Sequence, residues 1–152
     1  MLPTPQKFTL VAGTGEGRTR LTAFDKALLD AGIGNLNLLK VSSVLPPGAE
    51  YMEKLDIPPG SLTPTAYGAI VSDVPGEVIS ASIGVGFSEN TFGMIMEFSG
   101  RCMKKEAEEK VACMVEEAFE IRGLKLVKIR TKAVEITVNH TACAFAAAAL
   151  WY

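Results

Sequence analysis

The sequence has no apolar run long enough to cross a membrane and no excess of charge of either sign. Its 152 residues carry 15 Lys and Arg against 17 Asp and Glu, a formal net charge of -2. A membrane span needs about 18 or more apolar residues in a row, and nucleic-acid-binding domains present basic patches. We therefore expect neither a membrane nor a nucleic acid as partner. The first residues also lack the features of a secretion signal, so the expected location is the cytoplasm.

Residue types that metal and nucleophile sites commonly need are scarce. His140 is the only histidine, and the cysteines Cys102, Cys113 and Cys143 are widely spaced. Three separated cysteines argue against a disulfide framework and against a zinc site, and one histidine cannot build a multi-histidine centre. We expect reduced, mostly packing cysteines, a surface or turn position for His140, and no metal.

The composition and the order of the predicted helices and strands indicate one domain of α+β class. The composition, 48% hydrophobic and 21% charged, is typical of globular proteins. Apolar periodicity predicts helices at 22–31 and 103–121 and strands at 7–12, 67–72, 77–87, 91–98 and 124–138. Such an order does not repeat βαβ units.

Three further segments need separate interpretation. Residues 35–45 are apolar on both faces, which predicts an interior strand. Prolines and glycines over 46–65 predict a long loop. The alanine-rich end, 142–152, fits a helix by propensity and a buried strand by its flanking aromatic residues.

Two motifs near the N-terminus have ordinary structural interpretations. The G-x-G-x-G stretch at 13–17 resembles a phosphate loop, but Arg18 stands where a third glycine is needed and Glu16 would repel a phosphate. We expect a flexible turn there, one that could act as a lid. Thr22, followed three residues later by Asp25, predicts a capping box at the helix start.

Ser42 and Ser43 end an apolar segment, LNLLKVSSVL. Two hydroxyls are costly to bury unless they are hydrogen-bonded. They also permit a chemical step, because the Ser43 hydroxyl can attack the carbonyl of Ser42 to give an ester, whose elimination breaks the chain. The dehydroalanine left at position 43 would lose ammonia and become a pyruvoyl group. Its ketone can form a Schiff base with an amino acid and accept the electrons released when CO2 departs. A serine pair in a polar loop is the ordinary alternative.

Four long blocks give this pair a context: AFDKALLDAGIGNLNLLKVSSVLPPGAE, PTAYGAIVSDVPGE, GMIMEFSG and CAFAAAALWY. On these blocks, over nearly the whole chain, the sequence resembles the pyruvoyl-dependent arginine decarboxylases. The resemblance implies self-cleavage into a β chain, 1–42, and an α chain, 43–152, with a covalent pyruvoyl cofactor made from Ser43. It also implies an αββα sandwich and a homotrimer of two-chain protomers with active sites between neighbours. The expected reaction converts arginine to agmatine and CO2 for polyamine biosynthesis.

The resemblance assigns the proton donor to Glu97, which matches the family's acid that protonates the carbon from which CO2 has left. A carboxyl beside Met94, Met96 and Phe98 can be desolvated enough to stay protonated near neutral pH. The ordinary alternative is an outward-facing glutamate on an alternating strand.

Three further residues are assigned by the same resemblance. Asp25 matches the partner of the substrate guanidinium, although a helix cap is the commoner use of such an aspartate. Asn37 matches an asparagine needed for self-processing, yet six extended residues place it ~20 Å from Ser43, so a bend or a neighbouring subunit is required. Ser42 would end the β chain and line the pocket.

Two alternatives stay open at this point. The same chemistry could act on lysine, ornithine or histidine, because one carboxylate does not distinguish a guanidinium from an ammonium. The chain could also be an uncut, non-catalytic homologue that serves as an assembly or ligand-binding subunit.

Overall fold

The fold is a stack of four layers, seen in a computed structural model that describes residues 2–152. The elements in chain order are β1 (Lys7–Glu16), α1 (Arg20–Asp30), β2 (Asn37–Lys40), β3 (Val44–Leu45), β4 (Glu50–Tyr51), β5 (Leu62–Ser72), β6 (Val78–Phe87), β7 (Gly93–Gly100), α2 (Lys104–Arg122), β8 (Lys128–Thr137) and β9 (Ala142–Trp151). Sheet A has the order β2-β5-β9-β1-β4, and sheet B has the order β3-β7-β6-β8. Helix α1 covers the outer face of sheet A and α2 covers that of sheet B. The expected α+β class and αββα sandwich are confirmed.

Alternation along the strands supplies the apolar layers between these elements. In β9 the ring of Phe145 packs under α1, whereas its neighbour Ala146 faces the core between the two sheets. In β7 Met94 packs against α2, and the next residue, Ile95, lies in the core between the sheets. Successive side chains of a strand point to opposite faces, so each central strand contributes to two layers.

The alanine-rich end of the chain is the central strand of sheet A. Every residue from Ala142 to Leu150 is buried, and β9 pairs antiparallel with β1 on one side and β5 on the other. A strand covered on both faces needs apolar side chains at every position. The open choice between helix and strand is therefore resolved as strand, by pairing partners far away in sequence.

The glycine-rich stretch up to Glu16 is part of β1 and not a turn. A Cβ atom at Gly13 would lie 2.4 Å from the carbonyl oxygen of Ala27, and one at Gly15 would lie 2.7 Å from the Ala27 nitrogen. The glycines thus allow α1 to lie directly against the strand, which is a common reason for glycine within a sheet. The prediction of a flexible turn at 13–17 was wrong, and β1 extends beyond the predicted 7–12.

Helix α1 begins earlier than predicted, and its cap uses different residues. The amide of Thr22 donates to the Thr19 hydroxyl, and the amide of Thr19 donates to the Thr22 hydroxyl, each at 3.1 Å. The capping box therefore joins Thr19 and Thr22. The predicted box of Thr22 and Asp25 was wrong, and Asp25 is an exposed residue in the body of the helix.

The segment predicted as one interior strand is two short edge strands in different sheets. β2 pairs parallel with β5, and β3 pairs antiparallel with β7. Leu38 packs toward α1, while Val41 and Leu45 belong to the core between the sheets. Both faces of the segment are apolar because the chain changes sheets within it. The predicted loop at 46–65 was also wrong in part, since it contains β4 and the start of β5.

The remaining predictions concern helices and single residues. Helix α2 matches the predicted 103–121 to within one residue and ends at Gly123, whose φ of 62° is left-handed. No helix in the part of the chain that the structure describes could cross a membrane. His140 is exposed between β8 and β9, as expected. Burial raises the pKa of Cys143 to about 11, which suits a packing role, whereas Cys113 is exposed.

Candidate active site

The peptide between Ser42 and Ser43 joins the edges of the two sheets. On the sheet A side, the amide of Val41 donates to the carbonyl of Thr65 at 3.1 Å; on the sheet B side, the amide of Ile95 donates to the carbonyl of Ser43 at 2.7 Å. Ser42 is exposed and Ser43 is half-buried. Hydrogen bonds therefore fix the backbone at Val41 and at Ser43, while the peptide bond between Ser42 and Ser43 is accessible from solvent.

Both sheet edges are open beside this link. β2 pairs with β5 only as far as Thr65, and β3 pairs with β7 only over Gly93 and Met94. Beyond these points β5 and β7 have no outer neighbour among residues 2–152. The crossing segment 41–43 thus borders unpaired stretches of β5 and β7; this edge of the space between the sheets is called the gap below.

Glu97 faces this space. It lies opposite Ile83 in the β6–β7 ladder and shares the face of Ile95, which is in the core between the sheets. Ser99, two residues further along the same face, donates its hydroxyl to the Ala69 carbonyl of sheet A at 3.2 Å. The outward-facing alternative for Glu97 is therefore excluded.

The apolar residues expected to desolvate Glu97 lie on the other face of β7. Met94 and Met96 pack against α2, and the Lys110 ammonium lies 5.3 Å from the Phe98 ring centroid. That part of the prediction was wrong, because residues of odd and even number in a strand point to opposite faces. The desolvation of Glu97 comes instead from sheet A.

Sheet A contacts Glu97 through a glycine. A Cβ atom built on Gly68 of β5 would lie 3.2 Å from both Cβ and Cγ of Glu97. Burial between the sheets raises the pKa of Glu97, and the positive charge of Lys40 partly opposes this rise. Lys40 itself lies over Tyr67, with its Nζ 4.5 Å from the ring centroid. A raised pKa keeps more of the carboxyl protonated, which is the state a proton donor needs.

The strand register brings Ser43 and Glu97 to the same gap. One step beyond the pair Val44–Met94, Ser43 stands opposite Ile95, and Glu97 is two residues further along β7. Diagonal neighbours of this kind have side chains roughly 7–8 Å apart. A substrate atom bound between them would be within reach of both.

Two predicted site residues lie elsewhere in the chain. Asn37 begins β2, at the end away from the serine pair, and its side-chain amide donates to the Gly60 carbonyl at 2.9 Å. Asp25 is exposed on α1, in the layer on the opposite side of sheet A from Glu97. One chain thus gathers Ser42, Ser43 and Glu97, but neither Asn37 nor Asp25.

Gly68, which contacts Glu97, and Lys40, whose charge opposes the rise in its pKa, were not predicted from sequence. In the sequence, Lys40 lies two positions before Ser42. A charged residue so close to the serine pair was the one sign that it could belong to the site. Gly68 carries no signal, because its contact with Glu97 depends on how β5 and β7 face each other across the sheets. Ile95, which anchors Ser43, is likewise an unremarkable strand residue in the sequence.

Fold and site together define an αββα sandwich in which a serine–serine link and a desolvated carboxyl share an open sheet edge. Residues 7–152 match the protein family described as pyruvoyl-dependent arginine decarboxylase. A protein of that name from Methanocaldococcus jannaschii is 55% identical over 150 residues, covering 97% of this chain and 91% of its own length. A second protein of that name, from Pyrococcus abyssi, is 50% identical over 152 residues, covering 98% of this chain and 96% of its own length. The chain belongs to the pyruvoyl-dependent arginine decarboxylase family.

Membership implies a covalently bound pyruvoyl group as cofactor. The residues present fit such a group, since position 43 is a serine whose carbonyl is fixed by Ile95 and whose neighbour across the gap is Glu97.

Proposed function

We propose that this chain cuts itself between Ser42 and Ser43 and then decarboxylates L-arginine to agmatine and CO2. The observation that carries the proposal is the position of the Ser42–Ser43 link, which spans two sheet edges beside Glu97 in a member of this family. This reaction would serve polyamine biosynthesis, with the cytoplasm as its location.

Self-processing uses atoms of the serine pair and one water molecule. The Ser43 hydroxyl attacks the Ser42 carbonyl, which breaks the peptide C–N bond and forms an ester. Loss of the Ser43 Cα proton then expels Ser42 as a free carboxylate. The resulting enamine at position 43 tautomerises to an imine, and water hydrolyses it to the ketone with release of ammonia. Hydrogen bonds at Val41 and Ser43 favour this sequence because they fix the chain on both sides of the link.

The two fragments have strong reasons to stay together after the cut. Residues 1–42, the β chain, include β1, α1 and β2. β1 pairs with β9 over ten positions, from Lys7–Trp151 to Glu16–Ala142, and α1 packs on Phe145 and Ala147 of the same strand. The α chain, 43–152, supplies all the remaining strands of the two sheets. Cleavage therefore changes the covalent chain at one surface point and leaves the layers intact.

In the decarboxylation step, the pyruvoyl ketone supplies the electron sink that no ordinary side chain has. Glu97 delivers a proton to the substrate carbon that has lost CO2, because its burial holds the carboxyl in the protonated form to higher pH. Ser42, as the new C-terminus of the β chain, lines the pocket on the other side. No side chain in this scheme binds a metal.

Substrate recognition requires a second copy of the chain. Asp25 lies on the far side of sheet A from Glu97, so it reaches a guanidinium bound at the gap only from a neighbouring protomer. Two large apolar side chains near the gap, Leu39 and Val44, are 41% and 46% exposed, which leaves them available to a neighbouring protomer. A homotrimer with active sites between protomers accounts for both observations, and Asn37 would act in self-processing through the same contact.

Two alternatives remain as outcomes of the test. The first is the same chemistry on lysine, ornithine or histidine. The second is an uncut assembly or ligand-binding subunit.

Intact mass and CO2 release test the proposal on one preparation. We expect two fragments divided after residue 42, the larger without a free N-terminal amine, and CO2 release from arginine well above that from the other three amino acids. Light scattering should give about three times the 16.2 kDa of one chain. A single intact chain that still decarboxylates arginine would contradict the proposal, and a single inert chain would support the non-catalytic alternative.

A further inference from the structure

The space that Glu97 occupies exists because position 68 has no side chain. Gly68 lies on β5, on the face turned toward sheet B, and the stem of Glu97 crosses it. At 3.2 Å, a Cβ atom would be closer to Cβ and Cγ of Glu97 than carbon atoms normally pack. An alanine at position 68 would therefore displace the glutamate by a few tenths of an ångström.

On the sheet B side, Glu97 lies opposite Ile83 of β6, which is fully buried in the core between the sheets. The stem of Glu97 is therefore enclosed between Gly68 of sheet A and the packed β6–β7 ladder of sheet B.

We propose that Gly68 is a positioning residue for Glu97, because it leaves the space between the sheets that the stem of the glutamate occupies. The proposal rests on the proton-donor role of Glu97. It assigns to β5 of sheet A the placement of a residue carried by sheet B. The two sheets must then keep their relative position for the donor to work.

Gly68→Ala tests the space, and Gly84→Ala is its matched control. Gly84 is also within a strand, and its added Cβ would meet Val115 of α2 at 3.1 Å, away from Glu97. We expect Gly68→Ala to be cut normally, with kcat for arginine lowered about tenfold and KM little changed, because small misplacements of a reacting group are costly. Gly84→Ala should keep the parent kcat. Equal losses in the two variants would overturn the role of Gly68.

Glu97→Gln separates failure of this inference from failure of the proposed function. If that variant keeps full turnover, Glu97 is not the donor and both ideas fail. If it loses turnover while Gly68→Ala matches Gly84→Ala, the positioning inference alone fails. A Gly68→Ala protein that is uncut or unfolded would also overturn the inference, because the glycine would then be needed for processing or for the fold and not for placing Glu97.

Discussion

The backbone of Ser43 is fixed by Ile95, whose amide nitrogen lies 2.7 Å from the Ser43 carbonyl oxygen. This bond lies on the C-terminal side of the peptide that we propose is cut. It therefore persists after cleavage and holds the new chain end against β7, beside Glu97. The same contact would therefore hold residue 43 in place before and after the proposed conversion.

Ser43→Ala should abolish both cutting and decarboxylation, because no hydroxyl remains to attack the Ser42 carbonyl. Intact mass should show one chain of 16.2 kDa, and CO2 release from arginine should be absent. Ser88→Ala, which removes a hydroxyl from the turn between β6 and β7, should be cut like the parent. Activity in an uncut Ser43→Ala protein would exclude a cofactor made from this residue.

Glu97→Gln should leave cutting intact and lower kcat by a factor on the order of 100 or more, the usual effect of losing a general acid. Fragment masses and steady-state turnover on arginine would measure the two parts separately. Glu89→Gln, at an exposed turn, is the control for loss of one carboxylate. Parent-like turnover in Glu97→Gln would return the residue to a structural role.

Stability should depend on pH through Glu97. Because burial raises its pKa above 4.5, the folded chain binds this proton more tightly than the unfolded chain does. The charged form therefore destabilises the fold above the raised pKa, and this penalty vanishes below about pH 4.5. In an uncut Ser43→Ala background, adding Glu97→Gln should raise the free energy of unfolding at pH 8, with the difference disappearing toward pH 4. Urea unfolding across this range would measure it; a difference that is constant with pH would contradict the assignment.

Asp25→Asn should raise KM for arginine about tenfold or more with kcat less affected, since a hydrogen bond between charged groups is lost. Asp56→Asn, an exposed aspartate in the loop before β5, is the matched control. Stability should not change, because Asp25 does not cap α1. An unchanged KM would remove Asp25 from substrate binding.

Thr19→Ala should cost about 1 kcal/mol of stability, because the capping hydroxyl of α1 is lost. The measurement is urea unfolding of the uncut Ser43→Ala protein, at one protein concentration for both chains. Asp25→Asn in the same background separates the two candidate caps. A larger loss for Asp25→Asn than for Thr19→Ala would restore the cap that the sequence predicted.

The sequence by itself determined the class of fold and the family, and it drew attention to the serine pair on which the proposed self-cleavage depends. Periodic apolar residues over 103–121 predict α2 almost to its ends, because that helix depends on a local pattern. The long blocks around Ser42 and Ser43 identify the family for a similar reason: each is contiguous in the chain.

Tertiary structure alone decided the features that depend on partners far away in sequence. The alanine-rich end is a strand because β1 and β5 pair with it. Gly13 and Gly15 lie in a strand because β1 pairs with β9 along its whole length. Glu97 faces the core between the sheets because of its position in the β7 register, which its apolar neighbours in sequence did not reveal. Its contact with Gly68 joins two sheets, and such a contact is specified by packing between distant segments, which no local pattern encodes.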